Sequence, residues 1–158
     1  MAEFTDKPPY IKQIAIYFQQ GEYKKAYQLS KEFVEKYPEY MAAHFLLAKA
    51  AFWINDFETA KEESKKAFSL SEGEEEVAVS GILLACSHYR LKDYEKGMEI
   101  LRLLKSKAGT GESIKKLKFV FALALHNEPA AMRHLDELYE INKKEASSIM
   151  LKLLEKST

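Results

Sequence analysis

A single cysteine, Cys86, stands in this chain of 158 residues. A lone thiol closes no intrachain disulfide and builds no multi-cysteine metal site, so a reducing compartment fits. Charge of one sign is also missing: 24 Lys and Arg face 24 Asp and Glu. Without a basic stripe, nucleic acid and anionic lipid drop out as main partners. No apolar run approaches bilayer length, and the start Met1-Ala2-Glu3-Phe4-Thr5-Asp6 carries neither the basic nor the apolar stretch of a signal peptide. The expectation is a cytoplasmic protein with no membrane insertion.

Catalytic groupings are equally scarce. His44, His88, His126 and His134 are scattered, and no His or Cys pair falls at i, i+4 for a metal. Cys86 and His88 sit two apart, which on a helix points them to different sides. Gly109-Thr110-Gly111 is too short for a phosphate loop and lacks its Lys-Ser/Thr ending. The acidic run Glu72, Glu74, Glu75, Glu76 reads as a solvated helix start, where negative charge is favourable by roughly 0.3–1 kcal/mol. The sequence therefore assigns no catalytic, cofactor-binding or metal residue, and reads as a non-enzyme.

What the chain does have is a rhythm. Gly21-Glu22-Tyr23-Lys24-Lys25-Ala26, Asn55-Asp56-Phe57-Glu58-Thr59-Ala60 and Lys92-Asp93-Tyr94-Glu95-Lys96-Gly97 share one plan of turn, acid, aromatic, two polar residues and a small one. Ala26 and Ala60 lie 34 apart, Gly97 follows 37 later, and Ala131 in a weaker fourth copy lies 34 beyond. A fixed period in the thirties marks stacked helical hairpins that bury one continuous core. The hydrophobic share of 47% suffices for such a core in a single domain. The excess of Lys over Arg and of Glu over Asp is of the thermophile type.

The helices follow from apolar spacing and punctuation. Pro8 and Pro9 suit a first turn before Ile11, Ile14, Ala15 and Phe18; Gly21 ends that helix, and the next runs to Pro38. The units predicted are 7–40, 41–74, 78–111 and a degenerate 112–142. In the second, Glu58–Lys61 and Glu62–Lys66 are expected surface pairs. Gly109 and Gly111 are read as the exit of the third. Ala146, Ile149, Met150, Leu153 and Leu154 then form one apolar stripe, so 143–156 is expected to be a capping helix over the last repeat.

These choices resemble the tetratricopeptide repeat. That family places a small residue mid-way along the first helix, as at Ala48 and Ala85, an aromatic after the turn, as at Tyr23, Phe57 and Tyr94, and a small residue three further on. Departures are Ile14 at the first unit's small site, and Ser30 and Ser64 in place of bulky residues. The resemblance implies an all-α, right-handed superhelical solenoid of antiparallel hairpins whose first helices line a concave groove. The implied lining is Ile11 and Phe18 from the first unit, with Phe45, Lys49, Phe52 and Trp53 from the second. Ile82, Cys86, Tyr89 and Arg90 come from the third unit, and Lys116 and Val120 from the fourth.

Members that clamp a terminal carboxylate use Lys and Asn where this chain has Ile11, Ala15, Leu46, Val79 and Leu83, none of which hydrogen-bonds a carboxylate. The resemblance thus points to members that bind an amphipathic or extended peptide as adaptors or chaperones. The alternative is a self-associating module of a secretion, pilus or envelope assembly. The expected partner is a protein or peptide, the expected state a monomer or homodimer.

Overall fold

A computed structural model describes residues 7–104 and 111–156, without the side chains of Leu153, Leu154 and Lys156. Gly109, Thr110 and the last two leucines of the predicted stripe thus lie outside what is described. Among the described residues the fold is all-α, a helical-repeat architecture of nine helices with no strand. They are α1 (Lys7–Gln19), α2 (Tyr23–Lys36), α3 (Met41–Trp53), α4 (Phe57–Leu70), α5 (Gly73–Arg90), α6 (Tyr94–Leu103), α7 (Gly111–Ala124), α8 (Glu128–Ile141) and α9 (Lys143–Lys156). The chain divides into two compact units, Met1–Lys92 and Asp93–Thr158.

In the first unit each helix packs on the one before it, and α3 also meets α5. Tyr10, Ile14, Ala26, Leu29, Phe33, Ala43 and Ala50 form the core between α1, α2 and α3. Tyr10 stacks on Phe33 with ring centroids 4.7 Å apart, and Tyr37 meets Phe33 edge-on at 5.8 Å. Such pairs contribute about 0.5–1.5 kcal/mol beyond the area they bury. Ala26 and Ala60 are fully buried, which lets the paired backbones approach closely.

Ser30 and Ser64 are fully buried as well. Ser64 Oγ donates to the Ala60 carbonyl at 2.5 Å, so its hydroxyl is satisfied within its own helix while its small volume admits the neighbour. Ser71 Oγ at the end of α4 and Ser80 Oγ on α5 lie 2.9 Å apart, with the Ala67 and Glu76 carbonyls also within reach of the two hydroxyls. Small hydroxyls thus stand in for bulk. The acidic run occupies the first turn of α5, and Glu76 accepts a bond from the N-cap Glu72 amide at 2.8 Å. Lys66 pairs with Glu63 at 3.2 Å, where spacing alone had pointed to Glu62. The reason is that the Glu63 carboxylate, held from its other side, is fixed within one turn of Lys66. Lys61 pairs with Glu58 at 3.1 Å.

The second unit packs α6 on α7, α7 on α8 and α8 on α9. Its core is aliphatic: Met98, Leu101, Leu104, Ile114, Leu135 and Leu138 are buried, joined by Phe119 and Phe121. Gly111, read from sequence as part of an exit, instead opens α7 and is buried. Leu104 caps α6 rather than extending it. Asn127 caps α8 by accepting from the Ala130 amide at 3.2 Å, and Pro129 occupies the first turn, where its missing amide hydrogen is no loss. Asn142 caps α9 in the same way through Glu145 at 3.1 Å. Ala146 is fully buried against this unit while Leu151 remains exposed.

The repeat is written most clearly in its turns. Gly21, Asn55, Lys92 and His126 all adopt positive φ, at 72°, 65°, 63° and 56°. Each donates its amide to the carbonyl three residues back, at 2.9–3.2 Å. The left-handed residue reverses the chain so that the next residue, Glu22, Asp56, Asp93 or Asn127, stands at the helix N-cap. Glycine and asparagine adopt that conformation at low cost; Lys92 does not.

Candidate binding groove

Alternate turns of α3 and α5 face one another in the first unit. On α3, Phe45, Lys49, Phe52 and Trp53 recur at helical spacing; on α5, Val79, Ile82, Leu83 and Cys86 do the same. Together these eight residues line a pocket of about 270 Å³. Its wall is apolar, with Lys49 as the sole charged side chain on it. Trp53 is 53% exposed at its edge, the largest apolar side chain of this unit left in water.

Aromatic neighbours set the walls. Trp53 stacks on Tyr23 at 5.3 Å, and Tyr23 in turn meets Phe18 at 6.1 Å. Phe52 meets Phe57 edge-on at 5.3 Å. The two aromatics that follow the turns, Tyr23 and Phe57, thus support the pocket from behind. The Lys49 ammonium lies 4.6 Å over the Phe18 ring, and the Arg90 guanidinium 4.6 Å over the Phe57 ring. Arg90 falls one turn beyond Cys86 on the same face of α5.

Of the residues the resemblance implied, Phe45, Lys49, Phe52, Trp53, Ile82 and Cys86 meet in this pocket. Phe18 supports Lys49, and Ile11 packs against the α1–α3 core. Tyr89 is half-buried on α5. Lys116 and Val120 belong to α7 in the second unit, where the Lys116 ammonium is bound by Glu145 at 2.8 Å. Val79 and Leu83, which the resemblance places at the clamp positions, also line the pocket. Their spacing with Ile82 and Cys86 was the signal that places them on one wall.

The Cys86 thiol is pushed up to about 11 by burial, so at neutral pH it is a protonated wall atom and not a nucleophile. A larger hollow of about 450 Å³ is lined by Pro38, His44, Lys65, Lys66, Ser69 and Leu70. Its histidine is fully engaged: Nε2 donates to the Pro38 carbonyl at 2.6 Å and Nδ1 shares a proton with Glu63 at 2.6 Å. Neither nitrogen is open to a substrate. Among the described residues no group of three or more His, Cys, Asp or Glu could hold a metal ion, and no helix is long and apolar enough to cross a membrane.

Residues 17–68 match the tetratricopeptide repeat family model. The matched segment runs from the end of α1 through most of α4, so it contains the α3 wall of the pocket. Tetratricopeptide repeats generally mediate protein–protein interactions and are typically non-enzymatic scaffolds. No curated protein matches the chain.

Proposed function

We propose that this protein is a non-catalytic adaptor or chaperone-like module that holds a segment of a protein partner in the pocket between α3 and α5. One observation carries the reading: an apolar pocket whose rim leaves Trp53 half in water. A folded chain gains nothing from exposing an indole, whereas a partner that covers it recovers roughly 1.5–3 kcal/mol per large side chain. Three or four such contacts, less the cost of association, support binding in about the micromolar range.

Trp53→Glu is the direct test, because an exposed residue tolerates the change without loss of the core. Affinity capture from the source organism should lose its specific partner with Trp53→Glu while circular dichroism stays unchanged. Equal recovery of that partner by both forms would refute the groove. A second reading, self-association as a module of a larger assembly, is supported by the exposure of Met132, Ile141 and Leu151 on α8 and α9, at 49%, 50% and 61%. A concentration-independent monomer in light scattering removes it.

A further inference from the structure

We infer that the segment held between α3 and α5 is an internal, acidic-amphipathic stretch of the partner, with large apolar side chains in the pocket and carboxylates meeting Lys49 and Arg90. The inference rests on the groove being the binding site, and adds the chemistry of its occupant.

Three features of the wall decide the charge. No acidic residue lines the pocket, and the one charged side chain that does is Lys49. Arg90 extends the Ile82–Cys86 face by a turn, so a second cation borders the same apolar strip. Among the described residues the close partner of each cation is a ring, Phe18 or Phe57, and not a carboxylate. A cation over a ring face is held in place but keeps its charge available, because the ring supplies a quadrupole and no counter-ion. Lys116 shows the contrasting case: its ammonium is already taken up by Glu145.

The same wall decides against a chain terminus. Its lining offers no amide or hydroxyl side chain to hydrogen-bond a terminal carboxylate, and a single ammonium cannot replace a set of converging donors. Side-chain carboxylates of an internal segment need only approach the rim. A basic segment with identical apolar anchors would meet two like charges, and like charge at an interface is a strong source of discrimination.

The chain's single tryptophan, Trp53, lies at the pocket and reports occupancy by fluorescence. Two synthetic amphipathic peptides without tryptophan serve as probes, identical in their Leu and Phe anchors, one with Glu and one with Lys at the flanking positions. The acidic peptide should bind about tenfold more tightly at low salt, and the gap should close in about 1 M NaCl. Lys49→Gln/Arg90→Gln should abolish the preference, and Lys49→Glu/Arg90→Glu should reverse it. If wild type binds the two peptides equally, the charge inference fails and the groove reading stands. If Trp53 responds to neither, the groove reading itself fails.

Discussion

The two units solve the same packing problem with different chemistry. Met1–Lys92 is built on rings and alanines: Tyr10 on Phe33, Tyr23 on Trp53, Phe52 on Phe57, with Ala26, Ala43, Ala50 and Ala60 where backbones close in. Asp93–Thr158 is built mainly on aliphatics, and two of its cations, Lys115 and Lys116, meet its own carboxylates Glu137 and Glu145, while Lys143 lies 5.7 Å over the Tyr139 ring. An aromatic stands after the N-cap in three copies, as Tyr23, Phe57 and, in the second unit, Tyr94, whereas the fourth has Glu128-Pro129 there. In the first unit Lys49 and Arg90 lie over rings beside an apolar pocket.

Buried against exposed carboxylates gives the largest expected contrast between the units. Glu63 is buried, with one oxygen on His44 and the other on Lys66 at 3.2 Å. Glu63→Ala leaves the buried His44 Nδ1 without its partner and should cost about 3–5 kcal/mol. Replacing both members, His44→Leu with Glu63→Leu, should recover only part of that, since the Pro38 carbonyl then loses a partner. Glu137 in the second unit leaves 38% of its side chain in water, so Glu137→Ala should cost less than about 1 kcal/mol. Urea unfolding of the three variants checks the order, and a Glu63→Ala cost no larger than that of Glu137→Ala would erase the contrast.

This pair also marks where sequence reasoning stops. The turns, caps and small residues were legible because each acts within a few residues of itself: Gly21, Asp56 and Ala60 carry their conformational reasons locally. Six of the eight pocket residues, Phe45, Lys49, Phe52, Trp53, Ile82 and Cys86, are implied by the family resemblance, which puts the first helix of each hairpin on the groove. His44 and Glu63 lie 19 residues apart on different helices, and no local pattern joins them. The sharing of Lys66 with Glu63 rather than Glu62 follows from that distant contact. The pairing of Lys116 with Glu145 is invisible for the same reason, since Glu145 comes from a helix that the repeat period does not describe.

The turns offer a contrast of intermediate size. Gly21 at φ 72° has open space where a Cβ would go, so Gly21→Ala meets no clash and tests the backbone alone. It should cost about 1 kcal/mol, the penalty of a left-handed non-glycine residue. Lys92 already bears that penalty at φ 63°. Lys92→Gly relieves it, less the entropy that glycine loses on folding, and should raise stability by up to about 1 kcal/mol. Opposite signs in thermal melts at two equivalent turns would show that the repeat fixes the geometry and the residue only adapts to it. The same sign at both would break the equivalence.

The smallest effect lies in how the second unit responds to acid. Lys115 donates to the Glu137 carboxylate and so holds it below the usual carboxylate range. Burial pushes His134 down, with the neighbouring cations Arg133, Lys118 and Lys115 acting the same way against the opposing pull of Glu137. In both cases the unfolded chain takes up the proton more readily than the folded one, so stability falls as pH falls. The His134 part is present above the unfolded imidazole value of about 6.5 and is lost below it until the folded ring protonates. The Glu137 part is present above about 4.3 and is lost as pH drops through the folded value. Each step should be under about 1 kcal/mol, because the Glu137 carboxylate is 38% exposed and its charge opposes the downward shift of His134. Urea midpoints measured at pH 7.5, 5.5 and 3.5 should therefore decline in two stages. His134→Gln removes the first stage and Glu137→Gln the second. A first stage that survives His134→Gln would show that it does not arise at His134.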